Sequence, residues 1–147
     1  MCNSTCYAGN MNNNQYKIVI IEDDAMLAEI YQTLLVAQGF TVLVAHDGRS
    51  GADLVKAELP DLVLLDLMLP QLSGDQVLYE LRTNEPTKDT KVIMLTNISE
   101  TEAPENLDKL NFSRYIVKAN LISNQLPDIC LEVLGESAAE AAEIKAL

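Results

Sequence analysis

The chain has 147 residues, 48% of them hydrophobic and 22% charged, enough for one domain with a core and too short for two comfortable ones. Ten Lys and Arg against 22 Asp and Glu give a formal net charge of −12 with no basic run, so no nucleic-acid partner and no anionic membrane surface is expected. No apolar stretch approaches the ~20 residues that span a bilayer, and no secretory signal opens the chain; a cytoplasmic protein is expected.

Residues 1–16 carry Asn3, Asn10, Asn12, Asn13 and Asn14 and read as a flexible Asn-rich leader. Cys2 and Cys6 lie in it without a further Cys or His to complete a metal shell. Three cysteines are an odd count, so no disulfide framework is implied. Cys130 falls in an apolar helical pattern and reads as a small core residue.

Lys17–Ile21, "KIVII", is a β-branched run of the kind that forms a strand buried on both faces. "AMLAEIYQTLLVAQ" places Leu27, Ile30, Leu34 and Ala37 at helical spacing, with Gly39 as its stop. The alternation repeats: a strand over 41–45, a helix over 49–58 ended by Pro60, a strand over 62–66, a helix over 74–83. A strand over 91–95, a weaker helix over 103–110, a strand over 114–118 and a helix over 128–134 follow, with Pro127 tolerated in a first turn. Residues 135–147 read as a helical or frayed tail, with Ser137 and Glu140 at capping-box spacing.

Five buried-type strands alternating with five helices predict a doubly wound α/β domain over 17–134, because parallel neighbours need crossover helices. The expected strand order is the flavodoxin-like 2-1-3-4-5.

Ligands of such a sheet bind beyond the carboxyl ends of its strands. Glu22, Asp23 and Asp24 follow the first strand; Asp66, Thr96 and Lys118 end the third, fourth and fifth. These groups together explain how one carboxylate can stand in the apolar run "LVLLDLMLP": Asp66 would lie at a strand end, beside other acids, an ammonium and a hard divalent cation such as Mg²⁺. The blander alternative makes the acids helix N-terminal charges. It weighs most for Asp24. His46, the chain's one histidine, follows the edge strand and reads as an exposed bystander.

"IVIIEDDAML", "DLVLLDLMLPQLSG", "VIMLTN" and "YIVKAN" together resemble the receiver domain of two-component response regulators, over roughly Lys17 to Leu134. The resemblance, to a chemotaxis-type single-domain regulator, implies Asp66 as the phosphoacceptor and Lys118 and Thr96 as its catalytic partners. It implies Mg²⁺ held by Asp23, Asp66 and the Met68 backbone carbonyl, with Glu22 acting through water. Thr96 and Tyr115 would form the switch, the ring turning inward when Thr96 moves toward the phosphoryl group. Pro70 and Gly74 match the family's loop, where glycine would allow an unusual backbone turn. The implied partners are a sensor histidine kinase or phosphotransfer protein and a downstream protein target. The face of the fourth helix, fifth strand and fifth helix would receive that target or a homodimer mate. Such a domain is a signalling phosphoacceptor and not an enzyme on a separate substrate.

Two departures stand out. Ala119 replaces the proline usual after the lysine, and Asn97 replaces a usual small residue after the threonine. Met68 and Ile98 flank the site with apolar groups, which implies slow hydrolysis of a phosphoaspartate. Three alternatives compete. An Asp-nucleophile phosphohydrolase would need an acid where Met68 stands. An FMN carrier would need a phosphate loop where three acids stand. A degenerate receiver would act as a phosphorylation-independent interaction module.

Overall fold

The computed structural model describes residues 16–135; the expected leader and tail lie outside them, Tyr16 and Gly135 apart. Five strands, β1 (Lys17–Ile21), β2 (Thr41–Ala45), β3 (Leu62–Leu65), β4 (Lys91–Thr96) and β5 (Arg114–Val117), form one sheet in the order β2-β1-β3-β4-β5. All neighbours are parallel. The helices are α1 (Ala25–Ala37), α2 (Gly48–Glu58), α3 (Gly74–Arg82) and α4 (Leu126–Leu134).

Alternation along each strand sorts two cores. Val19, Ile21, Val63, Leu65, Val92 and Met94 pack with residues of α2 and α3, among them Val55 and Leu78. Ile18, Ile20, Leu62, Leu64, Ile93 and Leu95 pack on the opposite face with Leu35 of α1 and Cys130 and Val133 of α4. Both faces are covered, which is why these strands read as unbroken apolar runs. Cys130 is a buried free thiol, pushed up to about 12 by burial, and it is inert as a nucleophile.

Helix ends follow the sequence signals. Gly39 adopts φ 98° beyond α1, and the Phe40 N–H returns to the Leu35 carbonyl, a closure that favours glycine. Asp47 caps α2 by accepting from the Ser50 N–H at 2.7 Å. Across the α2–α3 contact, Glu80 receives both Arg49 and Lys56, which hold its carboxyl down at about 2.

The helix expected over 103–110 is not formed. Glu100–Glu102 and Glu105–Lys109 are 3₁₀ segments. Pro104 lacks an N–H and drives Ala103 to extended geometry, φ −66° and ψ 155°, breaking any continuous helix. Leu107 is the one fully buried side chain in either segment, too little apolar anchoring for a short helix. The face expected to receive a partner is therefore built from 3₁₀ turns beside β5 and α4.

After β3 the chain makes a three-residue turn, the Leu72 N–H donating to the Pro70 carbonyl at 2.8 Å. Its central residue, Gln71, holds φ 73°, a left-handed conformation that crowds a Cβ. Gln71→Gly is expected to raise unfolding stability by roughly 0.5–1 kcal/mol in equilibrium urea denaturation; a loss of stability would contradict this strain.

Candidate functional site

Register builds the site. β1 and β3 pair Ile21 with Leu65, so Glu22 and Asp66 leave the sheet side by side. Their amides continue the ladder: the Glu22 N–H donates to the Ala45 carbonyl at 3.0 Å and the Asp66 N–H to the Ile21 carbonyl at 3.3 Å. β4 ends at Thr96 opposite Val117, and Lys118 follows on β5. One strand, β4, separates β5 from β3, so the two lie about 10 Å apart at the usual strand spacing, a gap that a long lysine stem can bridge.

It does bridge it. The Lys118 ammonium lies 2.5 Å from Glu22 Oε1 and 2.6 Å from Asp66 Oδ2. Glu22 and Asp66 are 2% and 5% exposed, so water screens this triad poorly. The remaining oxygens are held as well: Glu22 Oε2 accepts from the Asp24 N–H and Asp66 Oδ1 from the Met68 N–H, both at 3.1 Å. Burial raises the Glu22 carboxyl above the usual range, with Lys118 opposing. Burial pulls the Lys118 ammonium down, but hydrogen bonds to Asp66 and Glu22 outweigh it and the net shift is upward.

Asp23 is exposed at the mouth. One carboxylate oxygen from each of Glu22, Asp23 and Asp66 lies within 4.8 Å of the others. With all three ionised, the single ammonium leaves two negative charges, which one divalent cation matches. The donor set is all oxygen and suits a hard cation. Asp24 stands apart: its Oδ1 accepts from the Met26 and Leu27 N–H groups, so it serves as the N-cap of α1.

The Lys118–Ala119 peptide is trans, no cis bond being present among the described residues, and Lys118–Asn120 form a 3₁₀ turn. Proline after the lysine is thus not required for its reach. Gly74 matters for a different reason than expected. Its φ is not positive; a Cβ there would fall 2.1 Å from the Asp66 carbonyl oxygen, so close approach of α3 to the Asp66 backbone demands glycine.

Thr96 is fully buried, and among the described residues its hydroxyl oxygen has only the Ile98 N–H at 3.5 Å, a long contact that leaves it short of a close partner there. Asn97 is exposed, and the Met68 side chain is 64% exposed. Tyr115 is half-buried on β5. Its hydroxyl donates to the Ile98 carbonyl at 2.6 Å, its ring lies against Phe112 at 6.2 Å, and burial pushes its pKa up to about 12. Sequence reasoning passed over His46, whose Nδ1 lies 3.0 Å from the Glu22 carbonyl oxygen; the available signal was its place one residue beyond the Ile21–Ala45 register pair.

A family model for the response regulator receiver domain matches residues 18–127. The chain belongs to that family. This receiver is 39% identical over 102 residues to the transcriptional regulatory protein DltR of Streptococcus agalactiae, covering 69% of this chain and 45% of that protein. It is 39% identical over 102 residues to a probable transcriptional regulator, ycf27, of Porphyridium aerugineum, covering 69% and 41%. The receiver thus spans under half the length of these curated relatives. Its fold resembles the receiver domain of the sensor histidine kinase PA1611 from Pseudomonas aeruginosa, solved with magnesium in its active site cleft. The TM-score is 0.74 at 23% identity, over 82% of this chain and 98% of that one.

Removing the ammonium should expose the electrostatic strain. In metal-free buffer, Lys118→Met is expected to cost about 3 kcal/mol at neutral pH. Without Lys118, burial and then repulsion from Asp66 act unopposed by an ammonium to raise the Glu22 carboxyl. A carboxyl raised above its unfolded value favours folding while protonated, so stability falls as pH rises through the raised pKa. Urea denaturation near pH 4 should therefore recover most of the loss; an equal deficit at both pH values would contradict the triad's electrostatic role.

Proposed function

We propose that this receiver is a phosphoacceptor of a two-component system. Asp66 takes a phosphoryl group from the phosphohistidine of a separate sensor histidine kinase or phosphotransfer protein. The observation that carries the reading is the one ammonium shared by two buried carboxylates, with a third carboxylate alongside.

An Asp66 carboxylate oxygen forms the new bond to phosphorus as the phosphorus–nitrogen bond of the phosphohistidine breaks, its electron pair returning to the imidazole. Such transfers are governed by positioning and charge neutralisation. Lys118 supplies a fixed positive charge beside the attacking carboxylate. The Thr96 hydroxyl, short of a close partner among the described residues, is suited to donate to a phosphoryl oxygen. Mg²⁺ bound by Asp23, Asp66 and the Met68 carbonyl, with Glu22 through water, would neutralise charge on the phosphoryl oxygens. The magnesium in the PA1611 receiver supports that choice of metal.

On this reading the domain catalyses only its own phosphorylation and dephosphorylation and is not otherwise an enzyme. No helix among the described residues is long and apolar enough to cross a membrane, in keeping with a cytoplasmic site of action. The relatives named as transcriptional regulators are longer than this chain. A DNA-binding output is proposed only through a separate domain, since this acidic domain would itself be repelled by phosphate.

A second reading has its own support. The Tyr115 hydroxyl donates to the Ile98 carbonyl at 2.6 Å, which fixes the ring beside the expected partner face, as suits a phosphorylation-independent interaction module. Incubation with acetyl phosphate and Mg²⁺, followed by intact mass, separates the two. The phosphoacceptor reading predicts one added phosphoryl group, lost in Asp66→Asn; no addition to the native chain would favour the interaction module. The exposed Met68 and half-buried Ile98 give an attacking water no polar help, so the adduct should persist for minutes or longer after the donor is removed. Decay within seconds would contradict slow hydrolysis.

A further inference from the structure

The edge strand carries no reactive group of its own, yet the turn after it touches both functional loops. On one side, the Ala45 carbonyl accepts from the Glu22 N–H at 3.0 Å, and His46 Nδ1 lies 3.0 Å from the Glu22 carbonyl oxygen. On the other, the Gly48 N–H donates to the Pro70 carbonyl at 3.0 Å. A Cβ on Gly48 would fall 1.7 Å from the Leu72 carbonyl oxygen, so the turn is seated against the loop that follows Asp66. Asp47 fixes the turn between them by capping α2.

We propose that this turn is a positioning bracket for the divalent-cation site and that His46 is its decisive side chain. The inference rests on reading Glu22, Asp23 and Asp66 as that site. The Glu22 carbonyl belongs to the planar peptide that joins Glu22 to Asp23. Holding that oxygen therefore sets the entry angle of Asp23, the one exposed carboxylate of the cluster. To donate to a carbonyl, the imidazole must carry its proton on Nδ1. Where a longer parallel ladder would offer a backbone amide from β2, the imidazole supplies the donor. On its far side Asp23 is followed by Asp24, whose N–H is held by Glu22 Oε2, so the ligand sits between two fixed peptides. His46 itself is exposed, and truncating it opens no cavity in the core.

The test is Mn²⁺ binding to the full chain, read from the free-ion signal in electron paramagnetic resonance. His46→Ala should weaken binding about three- to tenfold, below the usual loss for partners of a ligating side chain because the contact is to backbone. His46→Asn, whose amide nitrogen can stand where Nδ1 stands, should restore most of it. His46→Gln, whose amide reaches too far, should not. Melting temperatures without metal should be alike for all three variants and the native chain. Native affinity in His46→Ala, or equal weakness in the Asn and Gln variants, would overturn the bracket. Asp23→Asn separates the two claims: if it binds Mn²⁺ as tightly as the native chain, the cation-site reading itself fails.

Discussion

One ammonium between two buried carboxylates is the constraint around which this domain is arranged. Two carboxylates at such low exposure would be costly to bury without it. Lys118 comes from the far edge of the sheet, 96 residues along the chain from Glu22. The strand order that brings β1, β3 and β5 to one rim is therefore as much a requirement of the charge arrangement as of packing. The triad also leaves one net negative charge beside Asp23, and the three carboxylates together form an oxygen cluster that could hold a metal ion.

The apolar architecture and the reactive rim were legible for the same reason. Parallel strands covered on both faces must be continuous apolar runs, so a polar residue that ends such a run marks the sheet's edge. Asp66 after "LVLL" and Thr96 after "KVIML" are of this kind, and the strand order followed from the alternation of elements. The segment 97–113 was less legible. "APENLDKL" has helix-like composition, but Pro104 and a single well-buried anchor, Leu107, decide for 3₁₀ turns, and that balance emerges only when the core is assembled. Boundaries elsewhere shifted by one or two residues, as at β3, which ends before Asp66.

Residues whose role depends on backbone proximity were misread or missed. Gly74 was expected to supply an unusual turn, whereas what it supplies is the absence of a Cβ beside the Asp66 carbonyl. Tyr115 was read for its ring, whereas the bond from its hydroxyl to the Ile98 carbonyl, 17 residues away, was not foreseen. His46 looked like a bystander since nothing in its neighbours along the chain is functional; its partner is 24 residues away. Side-chain chemistry at strand ends can be read from spacing, but contacts to carbonyl oxygens cannot.

The central claim is that segments far apart in sequence meet at one rim and bind a single divalent cation. Substoichiometric Mn²⁺, followed by paramagnetic broadening of backbone amide resonances, tests it residue by residue. The account predicts loss of signals around Glu22–Asp24, Asp66–Met68 and Lys118, with Asp61 and Lys91 at the opposite rim left sharp. Broadening centred instead on the acids of Glu100–Glu105, or no localised broadening at all, would contradict it.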